Sequence, residues 1–229
     1  MDEAAADAER LTKDWWRTGI IDMSPGVIRF RGYPIEELIG RVSFAQMIWL
    51  MTRGELPSRA QAELLDAALT AGVDHGPQAP SIAIARMAAT CGVGLNNAIA
   101  SALNVLRFHP VDPRAPRLLE LVDAAAREGV VDGRFARIGR AVEAALAAGK
   151  GGKRIPMNID GATAVIYAEL GFPAPLARGL FCLSRAVGIL AHAWEQTRQG
   201  GRNKGPIPRQ YIPTLRRTAP APISMIFRG

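Results

Sequence analysis

From Ser43 onward the apolar positions recur at helical spacing. Phe44, Met47, Ile48 and Met51 fall at i, i+3, i+4 and i+7 behind Ser43, and Gly54 marks a stop. Pro57 and Ser58 restart the pattern through Leu64, Leu65, Ala68 and Leu69, which predicts two antiparallel helices. Ser81 is the expected cap of the next run, Ile82, Ala85, Met87 and Ala88. Ala98, Ile99, Ala102, Leu103 and Leu106 then form a face of small and apolar residues that permits close helix contact. Further helices are predicted through Leu118, Leu119, Leu121, Val122 and Ala125, and through Phe135, Ile138, Ala141, Val142 and Ala145, with a break from Gly149 to Gly152. The last apolar block divides at Gly171-Phe172-Pro173 into a helix ending near Leu170 and a longer one carrying Leu180, Phe181, Ser184, Val187, Leu190, Ala191 and Trp194. Val27 to Arg31, set between Pro25-Gly26 and Gly32, alternates as a short strand or hairpin arm, and nothing later reads as a sheet. The predicted class is all-α with a short N-terminal β-hairpin and no internal repeat.

Composition narrows the class. A chain of 229 residues can build one good core or two modest lobes, and 48% hydrophobic with 21% charged residues excludes disordered and fibrous classes. Cys91 and Cys182 stand in apolar helical contexts without a Cys-x-x-Cys spacing, so they read as buried thiols in a reducing compartment, and no metal site is expected. The N-terminus is acidic and lacks an apolar signal region, which makes the cytoplasm the default location. Leu176 to Trp194 contains Arg178, Arg185 and His192, and reads as too interrupted to span a bilayer. The net charge of +7 belongs to the tail: from residue 198 on there are seven cations and no acid. That run reads as a solvated C-terminus, or as a contact for a phosphate-bearing cofactor or nucleic acid. Nucleic-acid binding ranks last among the readings, because no aromatic residues interleave with the basic ones.

Polar chemistry concentrates in three phrases: Asp74-His75-Gly76, Asp112-Pro113-Arg114 and Pro156 to Gly161. Asp160 follows a Gly/Lys break and Pro156 and precedes a helix of small residues, so it reads either as an N-cap or as a general base. His75 reads as a turn residue or a donor to a carboxylate or carbonyl. Arg114 reads as a surface ion pair or a substrate contact. Arg185 sits in an apolar helix between Phe181 and Ile189, where a lone guanidinium would cost several kcal/mol, so it should meet an anion. His192, seven residues along, reads as a hydrogen-bonded core histidine.

The run Arg31-Gly32-Tyr33-Pro34-Ile35-Glu36-Glu37-Leu38, then Gly54-Glu55-Leu56-Pro57, Asp74-His75-Gly76, Asp112-Pro113-Arg114, Asn158-Ile159-Asp160 and Ser184 to His192, resembles the ordered landmarks of the citrate synthase family over roughly residues 20–213. The wording is most similar to short citryl-CoA lyase members. The resemblance implies a helical fold with a large and a small lobe: residues 1–106 and 156–229 in the large lobe, 107–155 in a small lobe truncated at its start. It implies a homodimer acting on a coenzyme A thioester, acetyl-CoA or citryl-CoA, and on oxaloacetate. Carried over by motif, Asp160 is the carboxylate that moves the α-proton. His75, Arg114, Arg185 and Arg209 grip the substrate, and Arg107 and Asn158 attend the cofactor portion.

The departure from the family is also specific. Its His-Gly-Gly and Gly-x-Gly-His phrases are absent, because Leu106 runs straight into Arg107-Phe108-His109-Pro110, and several dozen residues are missing at that join. His109 stands after the place of the second phrase and replaces neither imidazole. The leading expectation is citryl-CoA cleavage. The alternatives are citrate or 2-methylcitrate synthesis, and a catalytically dead paralogue that still binds ligand.

Overall fold

A computed structural model describes residues 7, 9–12, 15, 17–106, 112–152 and 155–201; the candidates Arg107 and Arg209, with His109, lie outside them. In chain order the described elements are β1 (Ile21–Ser24), β2 (Val27–Phe30), β3 (Tyr33–Pro34), α1 (Ile35–Leu38), α2 (Phe44–Arg53), α3 (Arg59–Gly72), α4 (Pro80–Thr90) and α5 (Leu95–Leu103). They continue with α6 (Arg114–Arg127), α7 (Arg134–Gly149), α8 (Ile159–Glu169) and α9 (Ala174–Gln199). The chain divides into two compact units, residues 1–74 with 108–187, and residues 75–107 with 188–229.

The first unit opens on the predicted hairpin, extended to three antiparallel strands in the order β1-β2-β3, with Ile21 opposite Phe30 and Ser24 opposite Val27. Gly26 takes a φ of 78°, which the tight β1–β2 turn requires. Arg31 leaves β2 with a φ of 50°, a left-handed conformation that a non-glycine residue adopts only when something holds it. Its guanidinium does so, donating from Nε and Nη2 to the Met51 carbonyl at 3.2 and 2.7 Å.

The helix starts at Ser43 and Ser58 are local chemistry. Each serine accepts from the backbone N–H three residues on, and Gln46 and Gln61 accept the serine N–H in return, at 2.7 and 2.9 Å. Gly54 ends α2 at a φ of 95°. α8 is buried nearly all round, through Ile159, Ala162, Thr163, Val165, Ile166 and Tyr167, and packs against α3, α6 and α7. Such a helix is central because its small residues, Gly161 and Ala162 among them, let neighbouring backbones approach. Arg140 on α7 holds Asp123 on α6 through two bonds of 3.0 and 2.6 Å. Glu169, at the end of α8, accepts the N–H groups of Gly133, Phe135 and Ala136 and so caps α7 from outside its own sequence.

The second unit contains α4, packed on α5, and the C-terminal part of α9. Arg86 on α4 donates to Gln196 at 2.9 Å and to Gln199 at 2.8 Å, and meets Glu195 at 3.3 Å. Ser81 is not the cap expected of it: α4 begins one residue earlier at Pro80, behind Ala79, and Ser81 is buried. Proline supplies the helical φ and lacks one of the N–H groups that a helix start leaves unpaired, and α4 opens on it without a capping side chain.

α9 is, among the described residues, the one helix long and apolar enough by length and composition to cross a membrane. In this fold its N-terminal part serves as a core wall, with Ser184 and Arg185 both buried against the end of α3.

Candidate active site

Two helix ends build the site within the first unit. α3 finishes at Gly72 with a last turn of carbonyls that have no partner further along the helix, and such carbonyls carry partial negative charge. Cations collect there. Arg114, the first residue of α6, donates from Nη1 to the carbonyls of Ala71 and Asp74, both at 2.8 Å. Its Nε and Nη2 grip the Asp112 carboxylate at 2.8 and 2.6 Å, and its backbone N–H donates to the same Asp112 Oδ1 at 3.0 Å. Asp112 is 7% exposed, so this is a clamp with one member buried rather than a plain surface ion pair. The Asp112 hydrogen bonds hold the Arg114 pKa above its ordinary value despite partial burial, with Asp74 and Asp160 adding to the effect.

Arg185 reaches the same helix end from α9. Its Nε donates to the Gly72 carbonyl at 2.7 Å, and its guanidinium lies 4.8 Å from the centre of the Phe181 ring. At 1% exposure it is the largest fully buried side chain among the described residues. Burial lowers its pKa; Asp160 works against that shift, as do Asp74 and Asp112, while Arg114 adds to it. The negative partner that the sequence demanded for Arg185 is a helix terminus, the Gly72 carbonyl, with the Asp160, Asp74 and Asp112 carboxylates acting on it electrostatically.

The second helix end is the start of α8. The cap is Asn158, in extended conformation, with its Oδ1 accepting from Gly161 N–H at 3.0 Å. That removes the N-cap reading of Asp160, which already lies inside the first helical turn. Asn158 spends its other amide atom on Asp160, donating from Nδ2 to Oδ2 at 3.1 Å. It therefore orients the candidate base as well as starting the helix. Asp160 acts electrostatically on both Arg114 and Arg185, so three of the candidates found in sequence converge in one neighbourhood.

His75 begins the second compact unit, half-buried, with its carbonyl accepting from Gln78 Nε2 at 2.9 Å. His192 is also half-buried, with Nδ1 at 3.9 Å from Glu195. Among the described residues no cluster of His, Cys, Asp and Glu could hold a metal ion.

Sequence reasoning singled out Asp112-Pro113-Arg114 but gave Asp112 no role of its own, and it gave none to Phe181 or Tyr167. Asp112 had a readable signal, since an acid two residues before an arginine at a helix start can take both that residue's N–H and its guanidinium. Tyr167 and Phe181 had none, being apolar-phase positions of buried helices. Asp160, Tyr167 and Phe181 line a cavity of about 750 Å³ beside the site.

A family model described as citrate synthase, C-terminal domain, matches residues 9–63 and 107–210. The solved citryl-CoA lyase of Hydrogenobacter thermophilus is 25% identical, with 90% of this chain and 96% of that one covered at a TM-score of 0.73. The ATP citrate lyase of Methanothrix soehngenii, solved with citrate and coenzyme A, is 19% identical over 96% of this chain and 45% of its own, at a TM-score of 0.63, a likeness of fold. The peroxisomal citrate synthase of Dictyostelium discoideum is 44% identical over 43 residues, a stretch that spans 19% of this chain and 9% of that curated relative.

Proposed function

The chain belongs to the citrate synthase family, and on that premise we propose that it makes or breaks a carbon–carbon bond at the α-carbon of a coenzyme A thioester, with citryl-CoA cleavage to acetyl-CoA and oxaloacetate as the reaction. One observation carries the proposal: the Asp160 carboxylate, oriented by Asn158, shares an electrostatic neighbourhood with the Arg114 and Arg185 guanidiniums. A carboxylate beside two cations is what a carbon acid next to a dianionic keto acid requires. Likeness to a solved citryl-CoA lyase along nearly its whole length supports the direction of cleavage.

In cleavage, the tertiary hydroxyl of citryl-CoA passes its proton to water and becomes the keto group of oxaloacetate. The bond from its carbon to the thioester's CH2 breaks, and the electron pair passes into the thioester enolate. Asp160 in its acid form returns a proton to that carbon, giving acetyl-CoA; in condensation the same carboxylate takes it. The guanidiniums attract the carboxylates of the keto acid, Arg114 by sharing donors already engaged with Asp112 and the α3 carbonyls, and a fixed cation of that kind sets the position of the dianion. His75 and Arg209 join them in this proposal, with Arg107 and Asn158 on the coenzyme side, in a homodimer in the cytoplasm.

The enolate oxygen also needs a donor, and one preorganised donor is worth about 2.7–4 kcal/mol. The absence of both histidine phrases therefore predicts slow turnover. A second reading, a paralogue that binds oxaloacetate without turnover, draws on that absence and on the committed donors of Arg114.

The test is a coupled assay of citryl-CoA consumption and of acetyl-CoA condensation, with α-proton exchange of acetyl-CoA followed by NMR in deuterated water. Cleavage, and exchange that falls at least about a hundredfold in Asp160→Asn, is the expected result. Exchange indistinguishable between the chain and Asp160→Asn refutes the role of Asp160. Calorimetric binding of oxaloacetate with neither cleavage nor exchange selects the paralogue.

A further inference from the structure

Helix α7 carries Gly139 near its middle, and α8 carries Gly161 in its first turn. Glycine inside a helix is destabilising relative to alanine, and neither residue has the positive φ that would by itself call for it. Close approach explains both. A Cβ on Gly161 would lie 2.6 Å from Met157 Cγ and 3.3 Å from its sulfur, and a Cβ on Gly139 would collide with the Met157 methyl group. The Met157 side chain therefore bridges the two helices, its root against α8 and its tip against α7.

The backbone of the same residue is held as well. Met157 N–H donates to the carboxylate of Glu143, which stands one turn beyond Gly139 on the same face of α7. Open space lies to either side, since Glu143, Pro156 and Met157 line two cavities, of about 690 and 640 Å³. The next residue in the chain is Asn158, which caps α8 by accepting from Gly161 N–H and orients Asp160 through its Nδ2. Gly161 thus serves twice: its missing side chain admits Met157, and its N–H ties the Asn158 cap. At its far end α8 holds the start of α7 through Glu169. The two helices are tied at two points, and the nearer tie leads through Met157 and Asn158 to the candidate base.

We propose that Met157 and Glu143 are positioning residues for Asp160: Met157, lodged between Gly139 and Gly161 with its N–H held by Glu143, fixes the Asn158 cap and through it the Asp160 carboxylate. The inference rests on the thioester reading above and adds α7 to that site as the element that places the base. Neither residue has to touch substrate. Misplacing a reacting group by 1 Å costs about a hundredfold in rate, so even partial loosening of the cap should cost about tenfold.

The test uses two readouts on the full chain: hydrogen–deuterium exchange of the Gly161 amide by NMR, which reports the Asn158 cap without any turnover, and α-proton exchange of acetyl-CoA. Glu143→Ala and Met157→Ala should each speed the Gly161 amide and slow α-proton exchange at saturating acetyl-CoA by at least about tenfold, with a smaller effect on KM. Glu143→Gln keeps an acceptor oxygen and should stay within about threefold of the unsubstituted chain in both readouts. Gly139→Ala displaces only the tip of Met157; it should slow α-proton exchange by itself and add nothing beside Met157→Ala. An unchanged Gly161 amide in both alanine variants overturns the proposal, and Glu143→Gln behaving as Glu143→Ala overturns the Met157–Glu143 bond as the link. A faster Gly161 amide with unchanged α-proton exchange confines both residues to helix stability and overturns their role at Asp160, as do losses in Gly139→Ala and Met157→Ala that simply add. An unsubstituted chain that exchanges no α-proton overturns the thioester reading instead, and the hold of Met157 and Glu143 on the cap then stands or falls on the Gly161 amide alone.

Discussion

Gly72 is where the site is most sensitive to a single methyl group. A Cβ there would lie 2.6 Å from Ser184 Oγ and 3.4 Å from Ser184 Cβ, and the Phe181 ring edge stands at 3.8 Å. Two effects oppose each other in Gly72→Ala. Alanine favours the helix by at most about 1 kcal/mol, and less at a last helical position. Overpacking costs about 1–3 kcal/mol. The collision could be relieved by turning the serine, but its hydroxyl donates to the Leu69 carbonyl, and giving up that bond costs about 1 kcal/mol. Pushing α9 away instead strains the Arg185 bond to the Gly72 carbonyl. The net expectation is a loss of about 2 kcal/mol, measured by urea denaturation followed by circular dichroism. Ser184→Ala alone should lose about 1 kcal/mol. The double variant meets only an ordinary 3.4 Å contact, so it should be more stable than the sum of the two losses by about 1–2 kcal/mol. A neutral or stabilised Gly72→Ala, or losses that simply add, would refute the close approach of α3 to α9 as the element that sets Arg185.

Glu169→Gln keeps the shape of the α7 cap but removes its charge, and should cost about 1 kcal/mol with faster amide exchange confined to residues 133–136, read by hydrogen–deuterium exchange. Asp112→Asn should leave the fold intact, since Arg114 is about a third exposed, yet weaken oxaloacetate binding at least several-fold by calorimetry as the guanidinium loses its fixed orientation. Arg185→Lys keeps the charge and loses the planar fork over Phe181; it should lower both thermal stability and oxaloacetate affinity, whereas a role as charge alone predicts no change in affinity.

Legibility in the sequence followed the range of the interaction. The starts of α2 and α3 were readable because Ser43 and Ser58 exchange bonds with glutamines only three residues away. The start of α4 lies two residues before the one a Ser81 cap implies, because Pro80 opens the helix without a capping side chain and Ser81 looks like a cap. Asp160 was correctly placed at a helix entrance, but its neighbour two residues back does the capping, and spacing alone cannot separate a cap from a first-turn acid. Glu169 read as the end of its own helix, and its work is done on backbone groups more than thirty residues earlier in the chain. The expectation that Arg114 and Arg185 share one substrate came from the family resemblance and not from spacing, because their common anchor is the backbone of α3, and carbonyl groups have no letter in the sequence.

That anchor bears on what each arginine can do. At least four of the five Arg114 N–H groups are committed, to Asp112 Oδ1, Asp112 Oδ2, the Ala71 carbonyl and the Asp74 carbonyl. A substrate carboxylate that met Arg114 in this arrangement would share donors already engaged rather than take up idle ones. Sharing costs little Coulomb energy and much geometric freedom, because the guanidinium plane is fixed by Asp112 on one side and by the end of α3 on the other. Arg114 is therefore a preset charge: it attracts a dianion into one position, and in doing so pulls on the C-terminus of α3, to which Arg185 is also tied through Gly72. Binding at either guanidinium must then be felt at the other through a single helix end, which predicts that the effects of Asp112→Asn and Arg185→Lys on oxaloacetate affinity are not additive. Strict additivity in that double-mutant cycle would mean that the α3 terminus holds the two arginines without coupling them.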